Sequence, residues 1–237
     1  MPDRPLARVL QAMDAACKEN AIRGGPRPMP RLVAVGKTRE AGEIAALAGE
    51  WATLRPGATL AFGENYVQEA SAKVAALDGT GIEWHLIGHL QSNKAAQAAA
   101  LFDWVQSIDR PKLVAALAAA RDPQRPPLNV LIQVNVDGEA GKHGCAPADV
   151  PALAESIAAR PTLALRGLMA IPEPHPDLEH RRAAFATMRT LHDALLAGYP
   201  GADMLSMGMS EDFELAISEG ATMVRIGSAL FGPRPPA

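Results

Sequence analysis

Short apolar runs, often β-branched, alternate along this chain with Ala-rich amphipathic stretches, the pattern that builds βα units around a parallel sheet. The apolar runs predict eight strands, over 31–37, 59–63, 83–88, 102–107, 128–135, 163–169, 204–207 and 222–226. Helices are expected between them, over 40–50, 66–77, 92–101, 111–120, 147–159, 178–196 and 212–219. Leu6, Val9, Leu10, Met13 and Ala16 fall at helical spacing and predict an extra N-terminal helix. Eight units in 237 residues leave roughly 30 residues each, the compact end of the range for a closed (β/α)8 TIM barrel. A doubly wound open sheet is the runner-up. The Pro/Gly-rich pieces lie between units, so one domain over 1–237 is expected, with 1–30 as helix and loop and 233–237 as a flexible tail.

Successive strand residues face opposite ways. Val33, Val35 and Lys37 therefore share one face, as do Glu83 with His85, Gln133 with Asn135, and Met223 with Arg225 and Gly227. Helices cover the outside of a parallel barrel, so polar strand residues should face inward and converge at the C-terminal rim, where such barrels keep their sites. A lysine at that rim is costly to desolvate, and burial favours the neutral amine that attacks carbonyls. Lys37 is thus a candidate Schiff-base lysine; taken alone, a side chain extending from the strand end into water is the default reading.

The segment LSMGMSEDFELAISEGATMVRIGSALFG supplies a neighbourhood for that amine. Its turns Gly208-Met209-Ser210 and Gly227-Ser228 each follow a strand and offer free backbone N–H groups after strands seven and eight, where barrels most often hold a phosphate. Ser210 could instead simply cap the next helix. Arg225, inward-facing just before Gly227, must meet an anion or a hydrogen-bond acceptor.

Composition narrows the function. A formal net charge of −3 without blocks of like sign argues against nucleic acid as a partner. Two cysteines in dissimilar contexts, Cys17 and Cys145, suit a reducing cytoplasm. No signal peptide or membrane span is evident. His85 and His89 are separated by a strand end, so they do not make a helical zinc pair, and no metal site is expected. The stretch from Gly138 to Gly144 fails the Walker pattern and is read as a flexible loop over the barrel mouth. Ser210 lacks the strained elbow of serine hydrolases.

The stretches LVAVGKT, FGENYVQEA, WHLIGHLQSNK, SID at 107–109, VNVDGEAGKHG, GLMAI and the long C-terminal segment resemble the pyridoxal-phosphate homeostasis proteins across almost the whole chain. That resemblance implies a barrel like the N-terminal domain of alanine racemase, with pyridoxal 5'-phosphate (PLP) held as a Schiff base on Lys37. It assigns cofactor contacts to Lys37, Asn65, Ser206, Gly208, Ser210, Arg225, Gly227 and Ser228, with Arg225 beside the pyridine nitrogen. Gly36 stands where the family commonly has Ser, Arg39-Glu40 follow the KT, and Ser228 replaces a frequent Thr; none removes a group the cofactor needs.

An arginine at the pyridine nitrogen disfavours its protonation and weakens the ring as an electron sink. Two-base racemisation needs a proton carrier on each face, and only Lys37 is evident. Alanine racemase takes a tyrosine from a second domain; Tyr66 and Tyr199 do not replace it. The resemblance therefore implies a noncatalytic, cytoplasmic protein of PLP and amino-acid balance, monomeric or weakly dimeric, with PLP-dependent apoenzymes as possible recipients. A racemase or lyase using His85 or a loop residue is the alternative. A third reading keeps the barrel but gives Lys37 a phosphorylated sugar, as in lysine-dependent aldolases.

Overall fold

The computed structural model describes residues 4–24, 28–139 and 141–233. Eight parallel strands close into one barrel in chain order: β1 (Arg31–Val35), β2 (Ala61–Glu64), β3 (Glu83–Leu86), β4 (Trp104–Ile108), β5 (Leu128–Val134), β6 (Leu163–Ala170), β7 (Met204–Ser206) and β8 (Met223–Ile226). The barrel is sealed where Arg31 to Ala34 of β1 register with Met223 to Ile226 of β8. The open-sheet alternative is thereby excluded.

The crossovers are α2 (Ala41–Leu54), α3 (Val67–Ala76), α4 (Ala95–Leu101), α5 (Pro111–Ala120), α6 (Val150–Ala158), α7 (Leu178–Gly198) and α8 (Phe213–Ser218), with α9 (Ser228–Phe231) after β8. Three of the starts have a clear local cause. Glu40 and Glu43 form a reciprocal capping box on α2, Pro111 opens α5 where its missing N–H costs nothing, and the Asp177 carboxylate accepts from Glu179 N to begin α7. The expected helices from 92 and from 147 begin as 3-10 turns, Ser92–Lys94 and Pro147–Asp149, before becoming α-helical. The N-terminal helix α1 (Pro5–Gly24) buries Leu6, Val9, Leu10, Met13 and Ala16 and packs on α8 and α9. Part of the expected loop after it, and the expected tail beyond Pro233, lie outside the described residues.

The strand faces divide as the alternation predicts. Leu32, Ala34, Phe62 and Leu86 join the core between sheet and helices, whereas Val33, Ala61, Trp104, Leu131, Met169 and Met223 form a separate cluster inside the barrel. Register shifts between Val105 and Ile108 and between Val130 and Leu131 break the alternation in β4 and in the β5–β6 ladder. Gly167, at φ 138°, lies beside the second shift; a Cβ there would come within 1.8 Å of the Met204 carbonyl oxygen, so only glycine lets β6 meet β7. Strand β1 ends at Val35, two residues short of the expected end, because the Gly36 carbonyl turns to accept from Arg39 N.

Candidate functional site

A cavity of about 540 Å³ opens at the C-terminal ends of the strands, a size suited to a small cofactor. Lys37, Asn65, Ser210, Arg225, Gly227 and Ser228 all line it. Ser206 and Gly208 do not. Ser206 is fully buried and accepts from Arg225 Nη1, and Gly208 lies in the turn after β7.

Lys37 stands half-buried in a turn that α3 holds from both sides. Before it, the Gly36 carbonyl accepts a hydrogen bond from Lys73 Nζ at 2.7 Å; after it, Thr38 N donates to Glu69 Oε1 at 2.7 Å. Lys73 also reaches both oxygens of Glu64 at 2.9 and 3.0 Å, and Glu69 Oε1 at 2.7 Å. Glu64, at the end of β2, is fully buried, and burial pushes its carboxyl up to about 7 against the pull of Lys73. A Cβ on Gly36 would approach Glu64 Oε1 to 2.6 Å, which accounts for the glycine before the lysine. Thr38 has φ 64°, a conformation costing a β-branched residue on the order of 1–2 kcal/mol. The Glu69 bond holds the chain there and aims the preceding side chain into the cavity.

The turns after β7 and β8 are joined by Ser210. Its Oγ accepts from Gly227 N and Ala229 N, both at 3.3 Å, while α8 begins with Asp212 as its N-cap. Ser210 therefore does not cap the next helix; it bridges two adjacent turns, and Ser210, Gly227 and Ser228 all line the cavity. Gly208, at φ 90°, turns the chain after β7, and its carbonyl accepts from Arg225 N at 3.0 Å. Asn65 is set by Gly88, where a Cβ would lie 2.2 Å from the Asn65 carbonyl oxygen.

Arg225 is 3% exposed. It meets acceptors rather than an anion: Nη1 donates to Ser206 Oγ at 2.7 Å and Nη2 to the Ala170 carbonyl at 2.8 Å. Burial lowers its pKa to about 10, with Asp212 acting in the opposite sense, so it remains a cation near neutral pH.

Across the mouth, His89, Asp109 and His143 bring potential ligand atoms within 4.8 Å of one another, a grouping that the sequence reading did not foresee because it paired His89 with His85. The two rings stack at 3.7 Å with 14° between their planes, and Asp109 Oδ1 is taken by Arg110 at 2.5 Å. Lone pairs of near-parallel rings point side by side rather than at one ion. Among the described residues of the 138–144 loop, the Glu139 carbonyl accepts from Asn135 Nδ2 and the His143 carbonyl from Gln133 Nε2. No helix among the described residues is long and apolar enough to cross a membrane.

Residues 11–235 match the alanine racemase N-terminal domain family. The pyridoxal phosphate homeostasis protein of Pseudomonas aeruginosa is 50% identical over 228 residues, covering 96% of this chain and 92% of that protein. The protein of the same name from Escherichia coli K12 is 43% identical over 97% of this chain and 95% of its own length. Among solved structures, PipY of Synechococcus elongatus PCC7942 with PLP bound superposes with a TM-score of 0.75 at 36% identity, covering 92% of this chain and 99% of PipY. Alanine racemase from Corynebacterium glutamicum, at 20% identity and a TM-score of 0.61, shares the barrel over 62% of its chain. The chain belongs to the pyridoxal phosphate homeostasis protein family, built on the alanine racemase N-terminal domain.

Proposed function

We propose that this protein binds PLP as a Schiff base on Lys37 and serves intracellular PLP homeostasis and amino-acid balance without catalytic turnover. The observation that carries the reading is the convergence, in one cavity, of an amine, the Ser210 and Gly227-Ser228 turns and a buried arginine. Lys37 supplies the amine. Ser210, Ser228 and the Gly227 turn take the phosphate, Asn65 flanks the ring, and Arg225 faces the pyridine nitrogen.

Arg225 is central to the noncatalytic assignment. A fixed cation beside the pyridine nitrogen opposes its protonation and so limits carbanion stabilisation. PLP bound here supplies an aldehyde carbon for the amine to capture, and the protein's part is to hold and release it. Relatives named as homeostasis proteins rather than enzymes support the same reading. Cytoplasmic location and delivery to PLP-dependent apoenzymes complete the proposal, with a monomer or weak dimer as the working state.

Absorption spectra before and after borohydride, followed by peptide mapping, test it. A yellow protein that bleaches and carries the pyridoxyl group on Lys37 is expected. A Lys37→Ala variant should keep its fold and lose the adduct; an adduct retained on another lysine would sink the assignment, and a wild-type protein that stays colourless with added PLP would revive the aldolase-type reading.

A further inference from the structure

A continuous line of side chains runs through the barrel interior from its N-terminal end to Arg225. Arg31 Nη2 donates to Glu83 Oε1 at 2.5 Å, and His85 Nε2 meets the same oxygen at 2.6 Å. On its other side, His85 Nδ1 meets Gln106 Nε2 at 2.8 Å. Gln106 Oε1 accepts from Ser206 Oγ at 2.7 Å, and Ser206 Oγ accepts from Arg225 Nη1 at 2.7 Å. His85, Gln106 and Ser206 are fully buried.

Donor and acceptor chemistry gives this line one direction. An ionised carboxylate only accepts, so the proton between Glu83 and His85 sits on Nε2. A neutral imidazole then offers Nδ1 as acceptor, to which the Gln106 amide must donate. That leaves Gln106 Oε1 for the Ser206 hydroxyl proton, and Ser206, having given its only proton, turns a lone pair to Arg225. Every donor from Arg225 onward points toward Glu83. Burial lowers the His85 pKa against the pull of Glu83. Burial acts to raise that of Glu83, but the hydrogen bond from His85 and the Arg31 guanidinium hold it below the usual carboxylate range. The lowered His85 pKa agrees with a neutral imidazole, and the lowered Glu83 pKa with an ionised carboxylate.

We infer that Glu83, His85, Gln106 and Ser206 form one polarised relay that orients Arg225 as a fixed cation beneath the cofactor ring, which makes them positioning residues. The inference rests on the reading that Arg225 faces the PLP pyridine nitrogen. Chains of aligned hydrogen bonds strengthen one another, and a broken one leaves buried polar groups unsatisfied. The relay thus ties Arg225 to a remote carboxylate without placing that carboxylate in contact with it. Among the described residues, both hydrogen bonds of the Arg225 guanidinium go to neutral oxygens. The cation's field is left to act on the cavity, and the ring nitrogen beside it stays unprotonated.

Gln106→Leu cuts the relay two hydrogen bonds from Arg225 while roughly conserving volume; Ser206→Ala cuts it at Arg225. Each holoprotein is reconstituted with PLP carrying 15N in the ring. The expected result is a pyridine 15N resonance shifted toward the protonated position in both variants, PLP release about tenfold faster, and unchanged stoichiometry of the borohydride-trapped Lys37 adduct. A purely structural role would lower the melting temperature without moving that resonance. A folded Gln106→Leu variant with wild-type resonance and release rate would overturn the relay; if that variant does not fold, the same result with Ser206→Ala would do so. A wild-type protein that forms no Lys37 adduct would overturn the cofactor reading itself and the relay with it, an outcome visible before any variant is made.

Discussion

Lys73→Met tests whether the ion pair beneath the Lys37 turn supports it. The substitution keeps most of the side-chain volume and removes four contacts: two to Glu64, one to Glu69 and one to the Gly36 carbonyl. Glu64 is fully buried, so an ionised Glu64 without its partner would cost about 3–5 kcal/mol. Protonation limits that cost. Burial already raises the Glu64 carboxyl from 4.5 to about 7 with Lys73 present, and it rises further without it. A group whose folded pKa is raised gives stability that is present below its unfolded value and lost as pH rises through the folded one. At about pH 6 the variant should therefore lose only hydrogen bonds, on the order of 1–2 kcal/mol. At about pH 8.5 the loss should approach 3–5 kcal/mol. At roughly 2–4 °C per kcal/mol for a chain of this size, thermal unfolding followed by circular dichroism should fall about 2–8 °C at the lower pH and about 6–20 °C at the higher. Adding Glu64→Gln should recover much of the loss at high pH. An equal drop at both pH values, or no recovery in the double variant, would refute the reasoning.

Two further perturbations probe the frame around the site. Gly167→Ala puts a Cβ 1.8 Å from the Met204 carbonyl oxygen at φ 138°, so it should cost more than about 4 kcal/mol and show as lost soluble expression; a well-folded variant would mean that β6 and β7 can separate. Glu83→Gln should flatten the acid side of the stability profile. The carboxyl is held below its ordinary 4.5, so its contribution is present above about pH 4.5 and lost as pH falls through the lowered value. Urea midpoints across that range should diverge between wild type and variant at neutral pH and converge in acid.

Periodicity exposed the barrel because each strand alternates and each crossover buries one stripe: Val33 inside and Leu32 outside is a distinction visible in the letters. The rim was legible for the same reason, since Lys37 and Arg225 follow their strands' inward rows into the cavity. Ser206 shares its face with Met204, but alternation gives a side chain's direction and not its depth, so the bond from Arg225 to Ser206 Oγ was not legible in the sequence. Lys73 was hidden more thoroughly. It looks like an ordinary exposed helix position, and its burial depends on Glu64 and the Gly36 carbonyl, which the fold brings from two other elements. The left-handed Thr38 had no sequence signal either, because a β-branched residue is chosen for such a turn only when something like Glu69 compels it.

The two buried cations nearest the site have their hydrogen bonds satisfied by opposite strategies, and the difference follows from what each faces. Lys73 points away from the cavity's chemistry, so direct contact with Glu64 and Glu69 costs the site nothing and fixes the backbone on both sides of Lys37. Arg225 faces the proposed ring position, where a carboxylate in contact would cancel its field; at about 4 Å and an effective dielectric constant near 20 such a pair interacts by about 4 kcal/mol. Two neutral oxygens satisfy its hydrogen bonds without supplying that opposing charge. Glu83 lies at the end of the hydrogen-bonded line, where it can polarise Ser206 without quenching the cation. An electron-poor, protonated ring would favour bond breaking on a captured amine; an unprotonated ring beside a persistent cation favours capture and return. On the proposed placement of the ring, this arrangement favours holding a reactive aldehyde over using it.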